Sequence, residues 1–211
     1  MRCLSRCIVW LGLLLTAGSV SSASTVALDV TSDTQVFSPG VFHNIGWQFS
    51  VNAPITVDGL GIFDVNPAGL GENHQVGLWD NNGTLLAQTT VTSGSTAVSS
   101  ASNTGDWLFQ SIAPIVLTPG TYVTGAFYSD STDSVMANAG ITTVPEISFL
   151  ASRATPDASF GEPGLYGLVE PGVFAANISV QSPNAVPEPA TLLLLGSGIS
   201  AVVLRRRKIR N

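Results

Sequence analysis

Between residues 24 and 180 the chain alternates apolar and polar residues in short segments and hardly anywhere repeats them at helical spacing. In "NIGWQFSV", Ile45, Trp47, Phe49 and Val51 fall on one face of an extended chain, with Gly46, Gln48 and Ser50 on the other. That is the pattern of a half-buried strand. The same reading applies to residues 25–30, 55–64, 74–80, 84–91, 106–112, 121–129, 146–152 and 173–180. Nine short strands without intervening helices predict an all-β fold, an antiparallel β-sandwich of jelly-roll type, and not an α/β arrangement.

The breaks between these segments carry turn chemistry. "DNNG" supplies Asn82-Gly83, which suits a two-residue hairpin turn or a longer turn with a glycine bulge at Gly83. "LTPGTY" places Pro119-Gly120 as a turn leading into the strand of Tyr122 and Tyr128. Residues 93–103 and 130–140 read as exposed loops, and 181–186 as an extended linker. Trp47, Trp79 and Trp107, with Phe49, Phe63, Phe109 and Phe127, are the expected centre of the core.

Both ends of the chain differ from this interior. "MRCLSRC" is basic, "IVWLGLLLTAG" is an apolar run of about a dozen residues, and Ser21 and Ala23 occupy the −3 and −1 positions of a small-residue cleavage site. This order predicts a signal peptide over residues 1–23, with the mature chain starting at Ser24 after removal by Sec-type export machinery and signal peptidase. Cys3 and Cys7 are the only cysteines, so the mature chain would have no disulfide and no thiol chemistry. From Ser24 to Val186 there are thirteen acids against Arg153 alone, a formal charge of −12. Such a domain repels nucleic acid phosphates and anionic headgroups, which excludes nucleic acid as a partner.

Catalytic patterns are absent. His43 and His74 stand in no recognisable triad context, no G-x-S-x-G elbow occurs, and neither zinc-ligand spacing nor a phosphate-binding glycine motif appears. The expectation is a protein that is not an enzyme and needs no cofactor, with calcium as the one ion to test. Asp29 and Asp33 near the start, and Asp130 and Asp133 in "YSDSTDS", are the carboxylate pairs for it. The alternative function is a carbohydrate-binding module in which Trp47, Trp79, Trp107 or Tyr128 stacks on a sugar ring. A glycan-processing enzyme is the third reading, since thirteen acids offer many carboxylate pairs.

The C-terminal residues "VPEPATLLLLGSGISAVVLRRRKIR" resemble the PEP-CTERM sorting signal of exosortase-bearing bacteria. Pro187, Glu188 and Pro189 match its motif, residues 191–204 its short membrane helix, and Arg205, Arg206, Arg207, Lys208 and Arg210 its basic cluster. The resemblance implies recognition by an exosortase, cleavage near the motif, and export linked to extracellular polysaccharide. Fourteen residues at about 1.5 Å rise reach about 21 Å, short of the roughly 30 Å hydrocarbon core. The helix over 191–204, within the sorting signal 187–211, is therefore expected to hold the chain in the inner membrane only transiently, before release to the cell surface or medium. Separately, "HQVGLWDNNGTLLAQTTV" followed by "GDWLFQSIAPIVLTPGTYVTGAFY" resembles an exported β-sandwich domain family of unknown function. That family's members are sometimes fused to carbohydrate-active enzymes, which implies an accessory and not a catalytic role.

Overall fold

The computed structural model describes residues 24–32, 35–40, 43–65, 67, 69–137, 140–165 and 172–181. The expected signal segment 1–23, the linker beyond Gln181, the sorting segment 187–211 with its helix, and Asp33 lie outside the described residues. Among the described residues all regular structure is β, and every strand pairing is antiparallel.

Fifteen strands follow one another. The first five are β1 (Ser24–Val26), β2 (Leu28–Val30), β3 (Gln35–Phe37), β4 (His43–Val51) and β5 (Ile55–Val65). Next come β6 (His74–Asp80), β7 (Leu85–Val91), β8 (Thr96–Ser99), β9 (Gly105–Leu117) and β10 (Gly120–Tyr128). The last five are β11 (Val135–Ala137), β12 (Ile141–Thr143), β13 (Ile147–Pro156), β14 (Val173–Phe174) and β15 (Ala176–Gln181). They form two five-stranded sheets, ordered β1-β15-β5-β9-β8 and β13-β4-β10-β6-β7. A three-stranded sheet β14-β11-β3 and the pair β12-β2 complete the set.

The two large sheets share one core. Ile45, Trp47, Phe49 and Val51 of β4 are all buried, as their alternation predicts, and they join Leu60 and Ile62 of β5 and Ile178 of β15 in one cluster. The Trp47 indole N–H donates to the Ala176 carbonyl at 2.9 Å, a bond that crosses from one sheet to the other. At the Asp80 hairpin the longer of the two turn forms is present. The Gly83 N–H donates to the Asp80 carbonyl, Gly83 has φ +80°, and the ladder shifts register between Leu78 and Trp79. A turn followed by a left-handed glycine bulge explains the first two, and the register shift marks a second bulge at Leu86, which has no partner on β6.

Two stretches expected to be loops contain strands. Residues 93–103 include β8, which pairs with β9 although all four of its residues are exposed. Small and hydroxylic residues on an edge strand leave no apolar alternation to read. Residues 130–140 include β11, whose Val135, Met136 and Ala137 are all buried. Phe127, expected in the core, is only half-buried. Gln181, expected to begin the linker, ends β15.

The outer face of the second sheet carries a row of glycines and is covered in part from within the chain. Gly46, Gly125 and Gly77 stand in register across β4, β10 and β6. Over them runs a strap, residues 157–165, whose Phe160 ring packs on Trp79 at 5.4 Å. Asn44, 1% exposed, clamps the strap by donating to the Ser159 carbonyl at 2.8 Å and accepting from the Gly161 N–H at 3.0 Å. A Cβ built on Gly125 would stand 2.6 Å from Pro163 Cδ, whereas one on Gly161 would meet nothing within 4 Å. Gly125→Ala should therefore cost about 1–3 kcal/mol of unfolding free energy in urea, and Gly161→Ala less than about 0.5 kcal/mol.

Candidate functional site

The densest set of ionisable side chains forms where β6 begins and β10 ends. Residues 69–73 and 129–134 flank that end, and two carboxylates hold them together reciprocally. Asp133 accepts from the Gly71 N–H at 2.9 and 3.1 Å and from the Glu72 N–H at 3.0 Å. Glu72 in turn accepts from the Ser129 and Asp130 N–H groups at 3.0 and 3.2 Å, and from the Ser129 hydroxyl. Each loop thus satisfies backbone donors of the other, which ordinary turns would leave to water.

His74 sits beneath this clasp, fully buried, with its ring 4.4 Å from that of Tyr128. Its Nδ1 lies 2.9 Å from the Phe127 carbonyl and its Nε2 lies 2.9 Å from Asp133. A carbonyl only accepts, so Nδ1 carries a proton. Nε2 faces the Asp133 carboxyl, which the Gly71 and Glu72 N–H groups hold in place. Glu72 contributes a second negative charge 3.9 Å from Nδ1.

Neighbouring groups are tuned by the same environment. Burial, followed by the charges of Asp133 and Glu72, pushes the Tyr128 phenol well above its ordinary 10, and its hydroxyl has no hydrogen-bond partner. Asp64 opens on a cleft of about 290 Å³ that it shares with Asp133, Thr132 and Gly69. Burial raises its carboxyl above the usual range, and repulsion from Asp133 and Asp106 adds to this; the Gly69 N–H partly offsets both.

The residues singled out from sequence fall elsewhere in function. Trp47, Trp107 and Tyr128 are 0% exposed and Trp79 is 4% exposed, so none has an open face and the sugar-stacking expectation is corrected for all four. The calcium candidates that the structure describes are engaged within the chain. Asp29 is surrounded by donors: Ser100 Oγ, the Ala101 and Val30 N–H groups, and the Trp107 indole N–H at 3.1 Å. Asp130 accepts from the Thr132 N–H and hydroxyl, which hold its carboxyl below the usual range, and Asp133 serves the clasp. Asp29 thus turns both oxygens to donors of the chain, whereas both contacts of Asp130 fall on Oδ1. Among the described residues no group of three His, Cys, Asp or Glu side chains is placed to hold a metal ion. Ser24 begins β1, while Ala23, Pro187, Glu188, Pro189, Arg205, Arg206 and Arg207 lie outside the described residues.

Sequence reasoning missed the His74–Asp133 pair because 59 residues separate its members. The one local signal was a histidine on the apolar side of "HQVGLWD", in step with Val76 and Leu78.

A family model described as a domain of unknown function, DUF4082, matches residues 30–162, more than half of the chain. The chain belongs to the DUF4082 family. A second match, to the PEP-CTERM protein-sorting motif, covers residues 185–208. No curated protein matches the chain. The DUF4082 match spans both loops of the clasp and both members of the His74–Asp133 pair. The sorting motif marks an exported protein with a C-terminal membrane-anchored sorting signal that an exosortase processes.

Removing the Asp133 carboxylate leaves three groups without their partner: the buried His74 Nε2 and the Gly71 and Glu72 N–H groups. Asp133→Ala should lower the unfolding free energy by about 3–5 kcal/mol in denaturant titration. Asp130→Ala, which touches only its own turn, should lose clearly less.

Proposed function

We propose that this DUF4082 protein is a non-enzymatic β-sandwich that exosortase processing delivers to the cell surface or extracellular matrix. The observation that carries the reading is the occupancy of His74. Both ring nitrogens are engaged within the domain and the ring is fully buried, so the one histidine–carboxylate pair of the clasp is spent on holding two loops. A general base needs a lone pair within reach of a substrate proton. Both nitrogens of this ring face partners within the chain, and the ring is closed off from any substrate.

The strand order supports the architectural half of the proposal. Taking β1-β15-β5-β9 against β4-β10-β6-β7, the chain passes between sheets in the order of an eight-stranded jelly roll, with β8 and β13 added at opposite edges. In this account Sec-type machinery exports the chain, signal peptidase cuts after Ala23, and the short C-terminal helix holds it until the exosortase cuts near Pro187–Pro189. Extracellular polysaccharide is then the surrounding in which the domain resides. The buried tryptophans remove the support for a stacking glycan site, so that alternative is not developed.

Intact mass of the protein recovered from cells and medium checks delivery. A chain running from Ser24 to the neighbourhood of the Pro-Glu-Pro motif is expected, and loss of the exosortase should leave the tail attached. Incubation with neutral and acidic polysaccharides should release no reducing ends. Release that disappears in a variant of the Asp64 and Asp133 carboxylates would refute the non-enzymatic reading.

A further inference from the structure

Asp58 is a carboxylate with no cation to answer it. It is the extra residue of a bulge in β5, since Val57 and Gly59 have register partners on β15 and β9 and Asp58 has none. A bulge takes a side chain out of the strand's alternation and aims it afresh. Here the carboxylate is aimed at the edge where β1 lies. Its Oδ2 accepts from Ser24 Oγ at 2.5 Å and its Oδ1 from Ser179 Oγ at 2.7 Å. Two hydroxyls use about half of a carboxylate's roughly four acceptor positions. Arg153, the only Lys or Arg from Ser24 to Val186, is on the other sheet beside Glu162.

Ser24 is also the residue that follows the signal-peptide cleavage site. We propose that Asp58 is the receiving site for the α-ammonium group that signal-peptide removal creates on Ser24, an ion pair that fastens β1 to the sheet in the mature protein. Hydrolysis breaks the bond between the Ala23 carbonyl carbon and the Ser24 nitrogen. The oxygen of one water goes to Ala23, which leaves as a carboxylate, and both its protons go to nitrogen, which becomes the ammonium. Before the cut that nitrogen is a neutral amide and brings Asp58 no charge.

The geometry is already close. The nitrogen is three bonds from Ser24 Oγ, which touches the carboxylate, so rotation within the terminal residue brings it to the charge-assisted range of about 2.7–2.9 Å. A groove of about 310 Å³ bounded by Asp58, Gly59, Ser179 and Phe109 leaves room for the group and its remaining waters. Ser24 pairs with Gln181 and Val26 with Ser179, so Asp58 bridges the same two strands that the ladder joins. An ion pair there ties down a three-residue strand whose first two residues are exposed.

The sequence makes the test clean, because Lys208 is the only lysine and sits in the sorting tail. Exported protein is treated with an acetylating N-hydroxysuccinimide ester at neutral pH, and acetylation is read on the N-terminal fragment by mass. Pairing that raises the amine's pKa by one unit slows the reaction about tenfold. Wild type and Ser179→Ala should therefore react about tenfold more slowly than Asp58→Asn. A chain with one glycine inserted ahead of Ser24 keeps Asp58 and moves the ammonium about 3.5 Å away. It should react as fast as Asp58→Asn, and it supplies the comparison if that variant does not fold. Equal rates in wild type and the inserted chain overturn the proposal, as does a mature N-terminus other than Ser24. None of these outcomes bears on whether the domain is catalytic.

Discussion

Three buried tryptophans hold the layers of this domain to one another. Trp47 donates across the interior from β4 to the Ala176 carbonyl and joins the two large sheets. Trp107 donates to Asp29 and fixes the β2–β12 pair against β9. Trp79, on the outer face of the second sheet, is the apolar seat of the strap through Phe160. With both cysteines ahead of Ser24, and no metal ligands brought together among the described residues, the domain from Ser24 depends on apolar burial and on satisfied polar groups. The indole ring serves both needs, with a large buried area and one N–H that finds a partner.

The second constraint is the place of β15. This last strand lies between β1 and β5, the first and fifth strands, so the first sheet stays incomplete until residues 176–181 are available. A chain exported from its N-terminus delivers those residues last of the domain. Asn177, fully buried, then clamps β2 by donating to the Leu28 carbonyl and accepting from its N–H. The pairing of Ser24 with Gln181 also sets the first and last described residues side by side, on the edge of the sheet that Asp58 faces.

Sequence periodicity found the strands that bury one face and was blind to the rest. β4 is legible because Ile45, Trp47, Phe49 and Val51 alternate with Gly, Gln and Ser, and burial follows that alternation. β8 has no apolar face and exists through its ladder with β9 alone, while β11 is three buried residues inside an acidic, serine-rich stretch. The aromatic reading was half right. Of the aromatics expected in the core, Phe127 is only half-buried, and Trp79 stands on the face of Gln75 and Gly77, where only the distant strap buries it. The acids were legible as a charge and not as a structure. Asp29, Glu72 and Asp133 each find donors more than 50 residues away, a relation that composition cannot carry.

These arrangements make the domain's side-chain chemistry inward-looking: its indoles, its buried histidine and several of its carboxylates are engaged with the chain itself. Tryptophan fluorescence tests that claim most directly, because the fourth tryptophan, Trp10, precedes Ser24, so protein beginning at Ser24 carries only Trp47, Trp79 and Trp107. Emission of the exported protein should be blue-shifted and nearly insensitive to iodide, becoming quenchable only on unfolding. Red-shifted emission that iodide quenches in the folded protein would place an indole on the surface and contradict the account.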